Sequence, residues 1–124
     1  MWIYEDKPFT QNDYKNGMHS FVYCLTNLDT NEKYIGKKNF NAKVKGKYQF
    51  SNWERYQGSS DITKKWNPER IEKKILRICY SAYESNYYEI AYLFATKALL
   101  RSDYVNYAVG SQTIGRVPNY MKIE

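Results

Sequence analysis

Apolar and polar residues alternate in the early part of the chain, which is typical of β-strands. Phe21, Tyr23 and Leu25 recur at every second position. A second short run, Tyr34-Ile35-Gly36, follows the tripeptide Phe21-Val22-Tyr23 after ten intervening residues. The connection at residues 28–32 is Leu-Asp-Thr-Asn-Glu, which is rich in residues that favour turns. The pattern predicts a β-hairpin within residues 20–40.

The third apolar segment of the chain shows two patterns at once. Ile71, Ile75 and Ile78 fit the spacing of a helix, whereas Leu76, Ile78 and Tyr80 alternate as residues of a strand do. The pattern alone leaves both structures open.

The clearest helix is predicted over residues 81–100. Ser81 and Glu84 have the spacing of a capping box, in which side chains satisfy backbone N–H groups at the start of a helix. An apolar stripe follows at helical spacing through Tyr87, Ala91, Phe94 and Ala98.

Two shorter helices are predicted before the third apolar segment. One lies within residues 51–60 and ends at Gly58. The other begins at Asp61, a residue type that commonly caps helices, and ends at Trp66 before Pro68 interrupts it. A final strand or turn is predicted at residues 104–109.

Composition narrows the class of protein. The chain has no run of about 18 apolar residues, so we predict no transmembrane helix. Residues 1–19 also lack the apolar stretch of a signal peptide. We therefore expect a single cytoplasmic domain, with Cys24 and Cys79 as buried, reduced thiols. Fourteen of the 124 residues are tyrosines, which either fill a core or stack on unpaired bases.

Positive charge is concentrated in one part of the chain. There are 19 Lys and Arg against 13 Asp and Glu, a formal net charge of +6. Six lysines fall within fifteen residues and run into a basic loop predicted at residues 41–50. They are Lys33, Lys37, Lys38, Lys43, Lys45 and Lys47. Such a run is either a solvated loop or a surface that follows nucleic-acid phosphates.

The two tyrosine tripeptides and their interval resemble the motifs of the GIY-YIG nuclease superfamily. Tyr34-Ile35-Gly36 matches the second motif in full, and Tyr23 matches the tyrosine of the first, with Phe21-Val22 in place of Gly-Ile. The resemblance covers residues 20–108, the expected nuclease domain.

This resemblance implies an α/β fold, with a three-stranded antiparallel sheet flanked by helices. Residues 70–80 would form the third strand. Residues 1–19 are then expected to form a polar arm, and residues 109–124 a tail packed on the domain.

The resemblance also implies a metal-dependent site. The family carries a glutamate in a later helix that binds one divalent ion, Mg²⁺ or Mn²⁺. We identify it as Glu89, because Glu84 lies in the first turn and is explained by capping and the helix dipole. Asn106 fits the family's asparagine near the end of the core, or an ordinary turn residue, and Gly36 supports the hairpin.

Two tyrosines and a cation would complete the implied site. Tyr23 would activate the attacking water, with Tyr34 positioning that water or sharing its proton. A free tyrosine has a pKa of about 10, so a nearby cation would have to lower the pKa of Tyr23. The arginine that the family places early is missing, and Lys38 or Arg55 would take its role.

An insertion after the second motif resembles phage-type members of the family, which carry a Trp-x-x-Tyr-x-Gly-Ser-Ser segment. The matching residues are Trp53, Tyr56, Gly58, Ser59 and Ser60. The two serines would donate hydrogen bonds to phosphate or cap a following helix. Further DNA contacts are expected from Lys37, Lys43, Lys45 and Lys47. His19 is an alternative base or a surface residue.

The sequence thus predicts a small Mg²⁺-dependent DNA endonuclease of the phage or homing type, acting in the host cytoplasm if phage-encoded. A catalytically weak or inactive nucleic-acid-binding protein on the same fold is the alternative that the missing arginine favours. A structural protein with a tyrosine-rich surface is a third hypothesis. The specificity of the endonuclease is then expected either to be low or to be supplied by a dimer or a partner.

Overall fold

The structure is a computed structural model that describes residues 1–106 and 116–123. Short 3-10 turns connect the strands and the single α-helix of this part of the chain. The elements are β1 (Trp2–Tyr4), β2 (Lys7–Phe9), β3 (Ser20–Asn27), β4 (Lys33–Asn39), β5 (Asn41–Val44), β6 (Lys47–Phe50), β7 (Ile71–Cys79) and α1 (Ala82–Ala95).

Five strands form the main sheet, in the order β2-β1-β7-β3-β4. Strand β3 pairs antiparallel with both β4 and β7, which confirms the hairpin and the strand predicted at residues 70–80. The prediction of three antiparallel strands is wrong, because the sheet has five strands and β1 runs parallel to β7.

The two additional strands come from residues 1–19, which we expected to form a polar arm. Trp2 is only 1% exposed, and its indole N–H donates a hydrogen bond to the carbonyl oxygen of Trp53 at 2.7 Å. Phe9 is also buried, and its ring packs against the indole ring of Trp53 with the ring centroids 5.9 Å apart. Two aromatic residues in an otherwise polar segment show no hydrophobic periodicity from which a strand could be predicted. Their burial nevertheless stabilises the pairing of this segment with the sheet.

The sheet separates two apolar cores of different character. One face is largely aromatic and is covered by turns and loops instead of a helix; it includes Phe21, Tyr23, Phe40 and Trp53. The other face lies under α1 and includes Val22, Ile35 and Leu93. Of the helices expected to flank the sheet, the described residues contain one α-helix, α1, and the other cover is made of 3-10 turns and loops.

Helix α1 begins where predicted but ends early. The Ser81 hydroxyl accepts a hydrogen bond from the Glu84 N–H at 3.1 Å, as expected for an N-cap. The helix ends at Ala95, and Lys97 then adopts a left-handed backbone with φ 57°. The rest of the predicted helix is a 3-10 turn at Ala98–Leu100.

The apolar stripe of α1 lies largely outside the core. Tyr87 is 47% exposed and Phe94 is 63% exposed, whereas Glu84, Ser85 and Leu93 are buried. The stripe therefore does not mark the face that packs on the sheet.

Other predicted elements are shorter or different. The two short helices are single 3-10 turns at Trp53–Arg55 and Thr63–Lys65. The basic loop is the two-stranded hairpin β5–β6. At the predicted strand or turn of residues 104–109, Tyr104 forms an isolated parallel bridge with Lys33.

Half of the C-terminal tail predicted at residues 109–124 lies outside the described residues, as do residues 107 and 108 of the predicted domain. Within the described part of the tail, the Tyr120 hydroxyl donates a hydrogen bond to the Glu84 carboxylate at 2.7 Å. No helix among the described residues combines the length and the apolar character needed to cross a membrane.

Candidate active site

The hairpin β3–β4 brings both tyrosine motifs to one edge of the sheet. Tyr23 is the register partner of Gly36, and Tyr34 pairs with Leu25 two positions along. Because β4 is an edge strand and Gly36 has no side chain, the Tyr23 ring extends across this position towards the sheet edge. The two predicted phenols therefore lie side by side, with ring centroids 6.4 Å apart.

Tyr56 adds a third phenol to this pair. Its ring lies edge-on to Tyr23, with centroids 6.1 Å apart. The insertion after β4 carries Tyr56, and we did not predict a role for it in the site. The Trp-x-x-Tyr-x-Gly-Ser-Ser spacing was the available signal, because buried Trp53 fixes the turn immediately before Tyr56.

Burial dominates the electrostatics of Tyr23. It raises the pKa of the phenol well above its usual value, and the neighbouring Tyr56, Tyr34 and Glu89 raise that pKa further. We expected a cation to lower this pKa, but no cation is among the causes of the shift. In the free protein Tyr23 is therefore a neutral phenol at pH 7.

Glu89 lies on α1, which packs against β4 and β3. Burial raises the pKa of this carboxyl group, and the positive charge of Lys37 opposes the increase. Among the described residues no hydrogen bond or ion pair satisfies the Glu89 carboxylate. Half-buried carboxylates without a partner are uncommon, so this group is available to a ligand.

Glu84 contrasts with Glu89 on the same helix. Its carboxylate accepts hydrogen bonds from the Tyr80 N–H at 2.9 Å, the Arg77 guanidinium at 3.0 Å and the Tyr120 hydroxyl. Although burial acts in the opposite direction, these hydrogen bonds lower the pKa of Glu84. The Glu84 side chain is thus fully used by the fold.

The donor set near Glu89 suits a hard cation that retains water ligands. Residues 1–106 and 116–123 contain no group of three or more His, Cys, Asp or Glu side chains that would enclose a metal ion. Mg²⁺ commonly binds through one or two carboxylates and completes its shell with water and substrate phosphate. The Glu89 carboxylate, which has no hydrogen bond or ion pair to another described residue and is near the Tyr23 phenol, fits this requirement.

Lys38 is the cation that the fold brings to the phenols. Its Nζ atom lies 4.2 Å from the centroid of the Tyr56 ring, and burial lowers its pKa. Arg55 is the exposed last residue of the turn Trp53–Arg55 and has no ion pair in the described part of the chain. Of the two predicted candidates, Lys38 is therefore the one in contact with the site tyrosines.

The two predicted serines have different surroundings. The Ser59 hydroxyl lies 3.3 Å from the Tyr34 hydroxyl, next to the site. The Ser60 hydroxyl accepts a hydrogen bond from the Ile62 N–H at 3.1 Å and so holds the following turn. Ser59 remains a candidate for phosphate binding, whereas the Ser60 hydroxyl already has a partner.

Asn106 supports the edge strand β4 at Ile35, between Tyr34 and Gly36. Its Oδ1 accepts a hydrogen bond from the Ile35 N–H at 2.9 Å, and its Nδ2 donates one to the Ile35 carbonyl oxygen at 2.8 Å. The side chain thereby replaces a neighbouring strand at Ile35. This pairing keeps the backbone on both sides of Ile35 in place.

The remaining predicted DNA contacts lie beside an open groove of about 740 Å³ along the foot of β5–β6. Lys37, Lys38 and Lys43 line it, together with His19. Lys45 and Lys47 lie at the exposed tip of the hairpin. Burial, and then the charge of Lys37, lower the pKa of His19, so this ring is mostly neutral at pH 7.

Comparison with known proteins is consistent with this geometry. Residues 2–109 match a family model described as "Putative endonuclease segE, GIY-YIG domain". Searches of curated protein sequences and of solved structures gave no significant match. The family match covers most of the chain, including both tyrosine motifs, the phenol cluster and Glu89. The chain belongs to the GIY-YIG nuclease superfamily.

Proposed function

We propose that this protein is a DNA endonuclease that depends on Mg²⁺ or Mn²⁺ and hydrolyses phosphodiester bonds at the edge of β4. The observation that carries the proposal is that buried Tyr23, whose ring occupies the space left by Gly36, lies near enough to Glu89 for that carboxylate to raise the pKa of the phenol. No other described residue forms a hydrogen bond or an ion pair with the Glu89 carboxylate. Membership of an endonuclease domain family supports the same activity.

Each residue has a definite task in this proposal. Glu89 holds the metal ion, and Lys38 provides positive charge for the scissile phosphate. Tyr23, once deprotonated, accepts a proton from the attacking water; the new P–O bond forms as the bond to the leaving oxygen breaks. A bound divalent ion would neutralise charge on the phosphate and stabilise the leaving oxygen. Tyr34 and Tyr56 orient the Tyr23 ring by packing around it.

Nicking of supercoiled plasmid tests this function. The wild-type protein is expected to nick with Mg²⁺ or Mn²⁺ and to stop when EDTA is added. Glu89→Gln and Tyr23→Phe are each expected to reduce the rate by at least about 100-fold. The exposed Glu69→Gln is a matched control that should keep wild-type activity. Undiminished nicking by Glu89→Gln would contradict the assignment of the metal ligand.

Direct metal binding gives a second readout. Calorimetric titration with Mn²⁺ should detect binding to the wild type and to Tyr23→Phe, but not to Glu89→Gln. Equal binding by all three would place the metal elsewhere.

The alternative function is DNA binding without cleavage. It is favoured by the raised pKa of Tyr23, which makes the phenol a poor base, and by a lysine in the place expected for an arginine. Salt-sensitive DNA binding with no nicking in either metal ion would select this alternative. Absence of both binding and nicking would favour a structural role.

A further inference from the structure

The hairpin β5–β6 is an arm that projects from the domain. Its foot is fixed, because Phe40 is fully buried and the Ser51 N–H donates to the Phe40 carbonyl oxygen at 2.8 Å. Above the foot, all residues from Lys43 to Phe50 are exposed. Lys45 and Gly46 have φ 52° and 81°, as in the tight type I′ turn that joins two strands.

The charge of the arm has one sign. The chain contains no Asp or Glu between Glu32 and Glu54. Within the described residues, no carboxylate forms an ion pair with Lys43, Lys45 or Lys47. An arm with this charge is complementary to a polyanion, and its lysines would release counterions from phosphates.

The two faces of the arm differ. Lys43 and Tyr48 are register partners on the face towards the groove, and Tyr48 is 79% exposed. Because side chains alternate, the opposite face carries the pairs Val44 with Lys47 and Ala42 with Gln49, and Ala42, at the foot of the arm, also borders the groove. That face offers an amide and small apolar groups between flanking lysines, which are groups that contact base edges and thymine methyls.

The size of the arm suits a duplex. Two strands lie about 4.8 Å apart, and four residues extend about 13 Å. The major groove of B-form DNA is about 12 Å wide and admits a two-stranded ribbon. Lys37 and Lys38 continue the positive charge from the foot of the arm to the phenols. The phosphate backbone of one DNA strand can therefore follow the groove of the protein while the arm enters the major groove of the duplex beside it.

We propose that the β5–β6 arm inserts into the major groove of duplex DNA next to the scissile phosphate and so positions the duplex for cleavage. This proposal rests on the nuclease function proposed above, with duplex DNA as the substrate class. The lysines contact both phosphate walls, and the face with Val44 and Gln49 meets the base edges.

Binding in EDTA tests the arm independently of cleavage. The full chain is titrated with a labelled DNA duplex, with one of its single strands, and with an RNA duplex whose narrow major groove excludes a ribbon. Lys45→Glu and Lys47→Glu are each expected to weaken duplex binding about tenfold at low salt. The matched control Lys7→Glu, at an exposed position of β2 on the far edge of the sheet, should change it less than about twofold. Equal losses on single strand and duplex, or tight RNA-duplex binding, would overturn the proposal.

Dimethyl sulfate identifies the groove, because it methylates guanine N7 in the major groove and adenine N3 in the minor groove. The wild type should protect guanine N7 near the nick, and Lys45→Glu should lose that protection. Protection of adenine N3 alone would overturn the proposal. If the protein protects guanine N7 but never nicks DNA, the proposed role of the arm stands and the proposed nuclease function is contradicted. If it nicks DNA without protecting guanine N7, the nuclease function stands and the proposed role of the arm is contradicted.

Discussion

Tyr23 lies across Gly36, its partner on the neighbouring strand, in the space that any larger residue at position 36 would need. A Cβ atom at Gly36 would lie 2.6 Å from Cζ of Tyr23 and 3.1 Å from Cε2 of Tyr34. The backbone of Gly36 does not have a positive φ. The glycine is therefore required by the phenols and not by the chain conformation.

Gly36→Ala is expected to displace the Tyr23 ring. The overpacking should cost about 1–3 kcal/mol in the free energy of unfolding, and misplacement of the phenol should reduce nicking about 100-fold. Chemical denaturation and plasmid nicking measure the two effects. In a Tyr23→Ala background the stability cost of Gly36→Ala should largely disappear; an unchanged cost there would mean that the clash lies elsewhere.

Glu84 and Glu89 should respond oppositely to replacement by glutamine. Glu84→Gln weakens hydrogen bonds to a buried carboxylate and should cost about 2 kcal/mol of unfolding free energy. Glu89 has a raised pKa, so its charged form disfavours the folded state above that pKa, and Glu89→Gln should increase stability at pH 7. Thermal unfolding without metal, repeated near pH 4, checks this, because the gain should shrink as Glu89 protonates. Loss of stability in Glu89→Gln at pH 7 would contradict the prediction.

Cleavage should rise with pH if deprotonated Tyr23 is the base. Because burial raises its pKa, the phenolate fraction stays small at neutral pH and increases about tenfold per pH unit until the pH approaches that pKa. Single-turnover nicking from pH 7 to pH 9 should therefore climb without a plateau. The residual activity of Tyr23→Phe serves as the control and should lack this slope. A plateau below pH 8 in the wild type would contradict a role for Tyr23 as the base.

Lys38 and Arg55 should differ in their effect on cleavage. Lys38→Met removes the charge beside Tyr56 and should reduce nicking by roughly 10- to 100-fold. The exposed Arg55→Met should have an effect below about threefold, and Lys38→Arg should retain activity because it retains the charge. Rates measured at saturating and limiting DNA separate binding from chemistry. A larger loss in Arg55→Met would give the catalytic cation to Arg55.

Lys73 should make stability depend on pH in the alkaline range. Burial lowers its pKa to about 8, although its ammonium group donates to the Glu54 carbonyl oxygen at 2.9 Å. Between this pKa and the ordinary value the unfolded chain binds more protons, so stability rises with pH there. The contribution from pH 7 to pH 9 should be about 1.4 kcal/mol. Urea denaturation at both pH values should show it in the wild type and not in Lys73→Met; equal pH dependence in both would contradict it.

The sequence by itself determined the central hairpin, the start of α1 and the family. Alternation at Phe21, Tyr23 and Leu25 and the turn before Tyr34 are local features, and local sequence specifies them. The N-cap at Ser81 is equally local. The catalytic roles predicted for Tyr23 and Glu89 came from the family resemblance and remain predictions.

Only the tertiary structure decided which residues share the site and which strands complete the sheet. Strands β1 and β2 depend on burial of Trp2 against residues about 50 positions away, which no local pattern encodes. Tyr56 joins Tyr23 because the chain returns over the aromatic face, and Lys38 meets Tyr56 for the same reason. Glu84 and Glu89 differ in their surroundings because Arg77 and Tyr120 form hydrogen bonds with the carboxylate of Glu84 and not with that of Glu89. These relationships depend on contacts between distant segments, whereas periodicity and turn chemistry report only neighbours along the chain.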